Sequence, residues 1–288
     1  MIKDLLNTWQ FNLSGYIFCV VLFNQFYKLA VHKAKNDGAV TVVLQTIAGL
    51  SALLLLPLFP IKFPTDWKIY ILLVLACIFY AINDRIQTTV RKHMEVSIYT
   101  IINQLTSVFL IIYGFTIFRE PFSLTKIIGG GLILLANILL RYSGGKIQFN
   151  KYIWLAFFAN LALATALSID VGISKNFNLP IYIMFTLIIP TVMIKTVEKI
   201  PTNEIRSEYN QGNKKYFFLT GILWFLLIFF MIRAYQFGSF TLITPLSSTS
   251  VIINVLVATL IFNEKKNTVK KILAALLVVA GVYLTVLA

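Results

Sequence analysis

Ten apolar runs, each about as long as a bilayer crossing, constrain what this chain of 288 residues can become. They cover residues 10–31, 38–58, 67–91, 94–118, 124–141, 151–173, 179–197, 215–236, 239–262 and 268–287. The hydrocarbon core of a membrane is about 30 Å thick and a helix rises about 1.5 Å per residue, so about twenty apolar residues make one span. Backbone N–H and C=O groups have no water partner in lipid, so each run is expected to be a helix. The alternating pattern of a membrane barrel strand is absent. Turn-forming residues mark several joints: Asn36, Asp37 and Gly38; residues 57–64; Ser143, Gly144 and Gly145; and residues 176–180. The one long polar segment, residues 199–215, joins the seventh and eighth runs.

Composition points the same way. Hydrophobic residues make up 58% of the chain and charged residues 12%, about half the charged share of a soluble domain. The 24 Phe and 13 Tyr suit lipid-facing helices with interfacial aromatic belts. The net charge of +14 raises the question of nucleic acid. The basic residues instead sit as short clusters between apolar runs: Arg91 and Lys92, Lys214 and Lys215, Lys265 and Lys266, Lys270 and Lys271. That is how loops fix membrane orientation, and no basic groove is formed. The bilayer is therefore the expected partner, and nucleic acid is not. Cys19 and Cys77 fall inside apolar runs and read as packing residues. The only two histidines, His32 and His93, lie in or near loops, so no metal cluster or base for an intramembrane enzyme is expected, and no cofactor.

Comparing the two halves of the chain is the informative step. A shift of 144 residues lays Ile117, Phe118, Arg119 and Glu120 on Ile261, Phe262, Asn263 and Glu264, Thr100 on Thr244, and Lys126 on Lys270. In each half a long run ends in an acidic turn, and a short run rich in small residues follows. Those small residues are Gly129, Gly130, Gly131 and Ala136, then Ala274, Ala275, Ala280 and Gly281, and they would let helix backbones approach closely. Five spans per half is an odd number, so the halves must be inverted in the membrane, as in many secondary transporters. The fold expected is all-α: ten transmembrane helices in two inverted five-helix repeats, residues 1–146 and 147–288.

On these features the chain resembles the drug/metabolite transporter superfamily, specifically EamA-like permeases. The resemblance spans essentially the whole chain and rests on the span number, the duplicated halves and the acidic turns at Glu120 and Glu264. Where the family has glycine before that glutamate, this chain has Arg119 and Asn263. Pro245 near the start of the ninth run also fits, whereas the fourth has Ile101. The resemblance implies a cavity lined by spans one to four and six to nine, with five and ten as scaffold. It implies a transporter rather than an enzyme, exporting a small polar metabolite or drug-like compound by alternating access, with protons as a candidate coupling ion. Other readings are a lipid-linked sugar flippase of the same fold and an intramembrane enzyme. A monomer or weak homodimer in a prokaryotic plasma membrane is expected.

Orientation follows from the basic residues. Most lie after the odd-numbered spans, among them Lys35, Arg91, Lys92, Lys199, Arg206, Lys214 and Lys215. The positive-inside rule then places the odd joints in the cytoplasm and both termini outside.

Polar groups within the apolar runs need a reason, since a charge at mid-membrane costs at least about 2.5–3.5 kcal/mol. Asp84 and Arg85 fall inside the third run. They are either a cavity-lining acid and base or structural charges satisfied by neighbouring helices, and adjacent side chains on a helix point too far apart to pair. Asp170 has too short a stem to snorkel and is a candidate to face the cavity as a binding or coupling residue, whereas Lys28 and Arg233 can reach the headgroups. Neutral candidates for recognition are Asn24, Gln45, Asn83, Asn103, Gln104, Asn160, Ser247 and Ser248, with interhelical hydrogen bonding as the alternative role. Tyr80 and Trp224 could stack on a planar or cationic ligand, or simply pack. Pro245 removes a backbone hydrogen bond in its helix. Glu120 and Glu264 are expected to cap the fifth and tenth helices.

Overall fold

The computed structural model describes residues 6–31, 35–93, 102–141, 151–253 and 268–286. Thr100, Ile101, the joint at residues 143–145, His32 and the turn carrying Glu264 lie outside the described residues, as do the side chains of Lys28, Arg91, Lys92 and His93. Among the described residues the chain is all helix. In chain order the helices are α1 (Trp9–Val31), α2 (Asp37–Ser51), α3 (Trp67–His93), α4 (Leu105–Thr116), α5 (Leu124–Arg141), α6 (Lys151–Ile173), α7 (Leu179–Val197), α8 (Thr202–Gln211), α9 (Lys214–Phe237), α10 (Phe240–Ser248) and α11 (Thr268–Val286). A 3-10 turn, Ala52–Leu58, continues α2 through Pro57, and another, Ser174–Asn176, follows α6.

Among the described residues, five segments are long and apolar enough to cross a membrane: Gly38–Leu58, Trp67–Ile86, Lys151–Asn176, Leu179–Val197 and Lys214–Phe237. Shorter apolar helices at Leu105–Thr116, Leu124–Leu139, Phe240–Ile253 and Leu273–Val286 join them. Whole rows of large apolar side chains stay exposed, such as Trp67, Ile71, Val74 and Ile78 on α3 and Leu276, Val279 and Tyr283 on α11. Contiguous apolar surface on this scale requires lipid as its solvent. The protein is a multi-pass membrane protein.

Local chemistry starts the helices where the runs begin. Asn36 caps α2 by accepting the N–H of Ala39 at 3.0 Å, Asn178 caps α7 through Ile181 N–H at 3.2 Å with Pro180 in the first turn, and Asn213 caps α9 through Tyr216 N–H. The polar joint at 199–215 is not a loop throughout: it holds α8, whose Glu208 is buried and accepts the N–H groups of Lys35 and Asn36 at 3.0 and 2.8 Å.

Polar contacts sort the joints into two ends of the bundle. At one end α8 meets the start of α2, and Arg85 near the end of α3 pairs with Glu198 at the end of α7. At the other, Asn178 donates to the carbonyls of Phe59 and Pro60 at 3.1 and 3.0 Å, and Arg233 donates to the Leu6 carbonyl at 2.7 Å. Arg233 thus finds protein groups rather than the headgroups expected of it, because the segment before α1 folds over the end of α9 within its reach. Its guanidinium also stacks on Phe237, 4.7 Å from the ring centroid.

Helices pack across the halves. α1 lies on α9 and α3 on α6, α2 packs on α7, and α5 packs on α11. Exchanging the two halves turns the first pair into the second and leaves the other two unchanged. The α5–α11 contact is backbone to backbone: a Cβ placed on Gly129 would stand 2.6 Å from the Gly281 carbonyl, and one on Gly281 would stand 2.6 Å from the Gly129 carbonyl. Side chains longer than hydrogen would hold these backbones apart.

Glu120 has a different role from the one expected. Its carboxylate accepts the N–H groups of Phe240 and Thr241 at 2.5 and 2.9 Å, so it caps α10 rather than α5. The tight turn after α4 folds its side chain across to a helix from the other half, while Ser123 meets the start of α5. Arg119, in the position where glycine was expected from the resemblance, has φ 52°. This is the left-handed region that glycine adopts without steric cost.

Candidate functional site

The cavity follows from which faces α3 and α9 present. Tyr80 and Asp84 are four residues apart on α3 and so share one face. Opposite them α9 brings Trp224 and the aliphatic residues Leu227 and Ile228, α2 brings Gln45, and α7 brings Thr186. Together with Tyr16 of α1 and leucines of α6 they line a cavity of about 220 Å³. Its walls are mostly apolar, with polar atoms concentrated on the α2–α3 side.

Asp84 is held in place by amides. Gln45 Nε2 donates to one carboxylate oxygen at 2.7 Å and Asn83 Nδ2 to the other at 3.0 Å. Gln45 is itself fixed, since Thr191 Oγ1 donates to its Oε1 at 2.9 Å. That acceptor role leaves the Gln45 amide NH₂ directed at Asp84, so three helices determine where the carboxylate sits. Arg85, its sequence neighbour, turns away to Glu198 and is half-exposed. Of the two candidate charges, only Asp84 lines the cavity.

A second carboxyl stands behind the wall. Asp170 of α6 has none of its surface exposed, and it accepts the Tyr80 hydroxyl at 2.5 Å and the Tyr182 hydroxyl at 2.6 Å. Tyr80 thus both lines the cavity and bonds to Asp170 through its hydroxyl. Asp170 does not line the cavity itself.

The remaining sequence candidates fall elsewhere. Asn24 is exposed on α1. Asn160 accepts the Thr106 hydroxyl at 2.6 Å and donates to the Ala156 carbonyl, joining α6 to α4. Gln104 accepts from Asn137 at 3.5 Å, and Asn137 also donates to the Ser248 carbonyl at 3.1 Å. Ser247 and Ser248 donate to the Thr244 carbonyl within their own helix, and Ser248 meets Ser107 across it. Asn103 does not line this cavity. Among the described residues, α4 and α10 use these polar groups to bind helices together, and none of their side chains lines this cavity. Among the described residues no group of His, Cys, Asp and Glu is arranged to hold a metal ion.

Tyr16, Tyr182, Thr186 and Thr191 belong to the site as well, and none of them was among the sequence candidates. Tyr182 had one legible signal. Asp170 and Tyr182 stand four residues before Ser174 and four after Asn178, at equal depth on the two arms of a helical hairpin. Equal depth on neighbouring helices puts side chains at one level, within hydrogen-bonding reach of each other.

Known proteins resemble this chain in sequence over one segment and in fold over nearly all of it. Residues 7–142, just under half of the chain, match the EamA-like transporter family. The likeness to that family is confined to this segment. A solved structure described as a crystal structure of a protein is similar to the chain with a TM-score of 0.73, covering 96% of this chain and 98% of its own at 12% identity. That likeness is one of fold. No curated protein matches the chain.

Proposed function

We propose that the protein is a secondary transporter that exports a small polar metabolite or drug-like compound by alternating access. In this reading ten helices form two inverted repeats, residues 1–146 and 147–288, that rock about a shared cavity. The observation that carries it is the cavity itself. Helices from both halves wall it, its lining is mostly apolar, and its most polar feature is a carboxylate positioned by Gln45 and Asn83. A mostly apolar pocket with a few fixed polar groups is the usual form of a small-molecule site. The exchange of helix partners between the halves supports the inverted repeat.

Asp84 would meet a donor or a positive group of the cargo, while Tyr80 and Trp224 would offer ring faces to a planar or cationic body. In the cell, the plasma membrane of a prokaryote with the odd joints in the cytoplasm fits the distribution of basic residues. The test is counterflow in liposomes carrying the purified protein, run against labelled amino acids, nucleobases, organic cations and organic anions. At least one class should exchange across the membrane, and Asp84→Asn should abolish that exchange without lowering the melting temperature. Wild-type exchange by a stable Asp84→Asn protein, or movement of lipid-linked sugar with no solute exchange, would overturn the reading.

A further inference from the structure

Asp170 is a buried acid that the cargo site does not use. Leaving a carboxyl group out of water inside a membrane is costly unless its oxygens are satisfied. Here the partners are two phenol hydroxyls, from Tyr80 of α3 and Tyr182 of α7. No lysine, arginine or histidine among the described residues pairs with it.

The groups around Asp170 are mostly neutral. α3 brings Cys77, whose thiol meets the Phe185 carbonyl at 3.8 Å, then Tyr80, with Asp84 one turn beyond. α7 brings Tyr182. α9 packs Phe229 and Ile232 into the same core, while its Arg233 is drawn to Leu6 and its Tyr235 to Thr244. The Tyr113 hydroxyl of α4 is engaged by Thr165. Lys175, in the 3-10 turn after α6, is exposed.

Phenol hydroxyls have a property that amides and ammonium groups lack: each is both donor and acceptor. Toward a carboxylate both tyrosines donate. Toward a carboxylic acid, one phenol oxygen must accept the acid's proton, which frees its own hydrogen to turn elsewhere. Tyr80 is the tyrosine at the cavity wall. We propose that Asp170 is a proton-binding site that switches the hydrogen-bonding character of the cavity through Tyr80. A proton arriving from cavity water binds the Tyr80 oxygen as the Tyr80 hydrogen passes to Asp170, so the phenol stays neutral and the carboxyl becomes an acid. The acid then donates to Tyr80, and the Tyr80 hydroxyl is left to donate into the cavity. Release of the proton returns Tyr80 to Asp170 and leaves Asp84 as the main polar group facing the cargo.

The proton site stands on geometry alone, and only its effect on cargo rests on the transporter reading. Infrared titration of the purified protein in lipid nanodiscs tests it through the carboxylic-acid C=O band. Lowering pH should raise a band that Asp170→Asn removes and Asp84→Asn retains. Tyr80→Phe should keep that band and displace it in frequency and midpoint. If Asp170→Asn does not fold, Tyr80→Phe and Tyr182→Phe keep the carboxyl and each should displace the band. A band lost with Asp84 instead, or indifferent to both tyrosines, would overturn the proposal. Counterflow on the same samples separates the two readings. Solute exchange with no Asp170 band removes the proton site alone, whereas an Asp170 band without exchange of any solute removes the transporter reading alone.

Discussion

The carboxylate of Glu120 accepts the backbone N–H of Phe240 at 2.5 Å, so a turn from one half of the chain starts a helix in the other. Losing a capping side chain costs about 0.5–2 kcal/mol of stability. Glu120→Ala should therefore lower the melting temperature in detergent, and Glu120→Gln, which retains an acceptor, should lower it less. Equal melting temperatures for Glu120→Ala and wild type would show that the cap contributes nothing.

Three neighbouring glycines on α5 make an internal control for close packing. Alanine at Gly129 would press against the Gly281 carbonyl, whereas a Cβ at Gly131 meets nothing within 4 Å. Overpacking of this kind costs about 1–3 kcal/mol, and alanine at an open helical position gains up to about 1 kcal/mol over glycine. Gly129→Ala and Gly281→Ala should both destabilise the protein, and Gly131→Ala should leave it as stable or more so. Thermal unfolding of the three variants side by side makes the comparison.

Arg119 holds a left-handed backbone conformation that its side chain disfavours by about 1–2 kcal/mol. Arg119→Gly should raise the melting temperature, less a few tenths of a kcal/mol for the added freedom of the unfolded chain. A fall in melting temperature would mean that the arginine side chain stabilises the turn more than its backbone strains it.

Orientation is open to chemical labelling. With the odd joints in the cytoplasm, a cysteine at Gln211 should resist membrane-impermeant thiol reagents in intact cells, and one at Lys175 should react. The reverse pattern would invert the protein in the membrane while leaving the fold as it is.

The apolar runs were legible because lipid leaves helices few alternatives, and each of the ten contains a helix among the described residues. Asp84, Gln45, Asn83, Tyr80 and Trp224 were legible because polar or aromatic groups on buried helix faces are few enough to be noticed. Local reasoning misplaced the cap made by Glu120 and left two roles open for Arg85. Both reach partners more than a hundred residues away, and such pairings depend on tertiary packing that no local pattern encodes. Tyr182 and Thr191 were hidden for another reason: tyrosine and threonine are common in this chain, and only the helix that each faces gives it a role.

Docking of α8 on the first turn of α2 has a consequence for observing motion. Glu208 grips the backbone of Lys35 and Asn36, and Asn36 in turn donates to Glu204 at 2.6 Å. α2 is the helix whose Gln45 orients Asp84, yet its own surface is largely enclosed. α8 therefore serves as an external handle on an internal part. A dye or spin label on its exposed face, at Ser207 or Gln211, would move with α2, so rearrangement of the cargo site could be followed from outside the bundle without altering any residue that lines it.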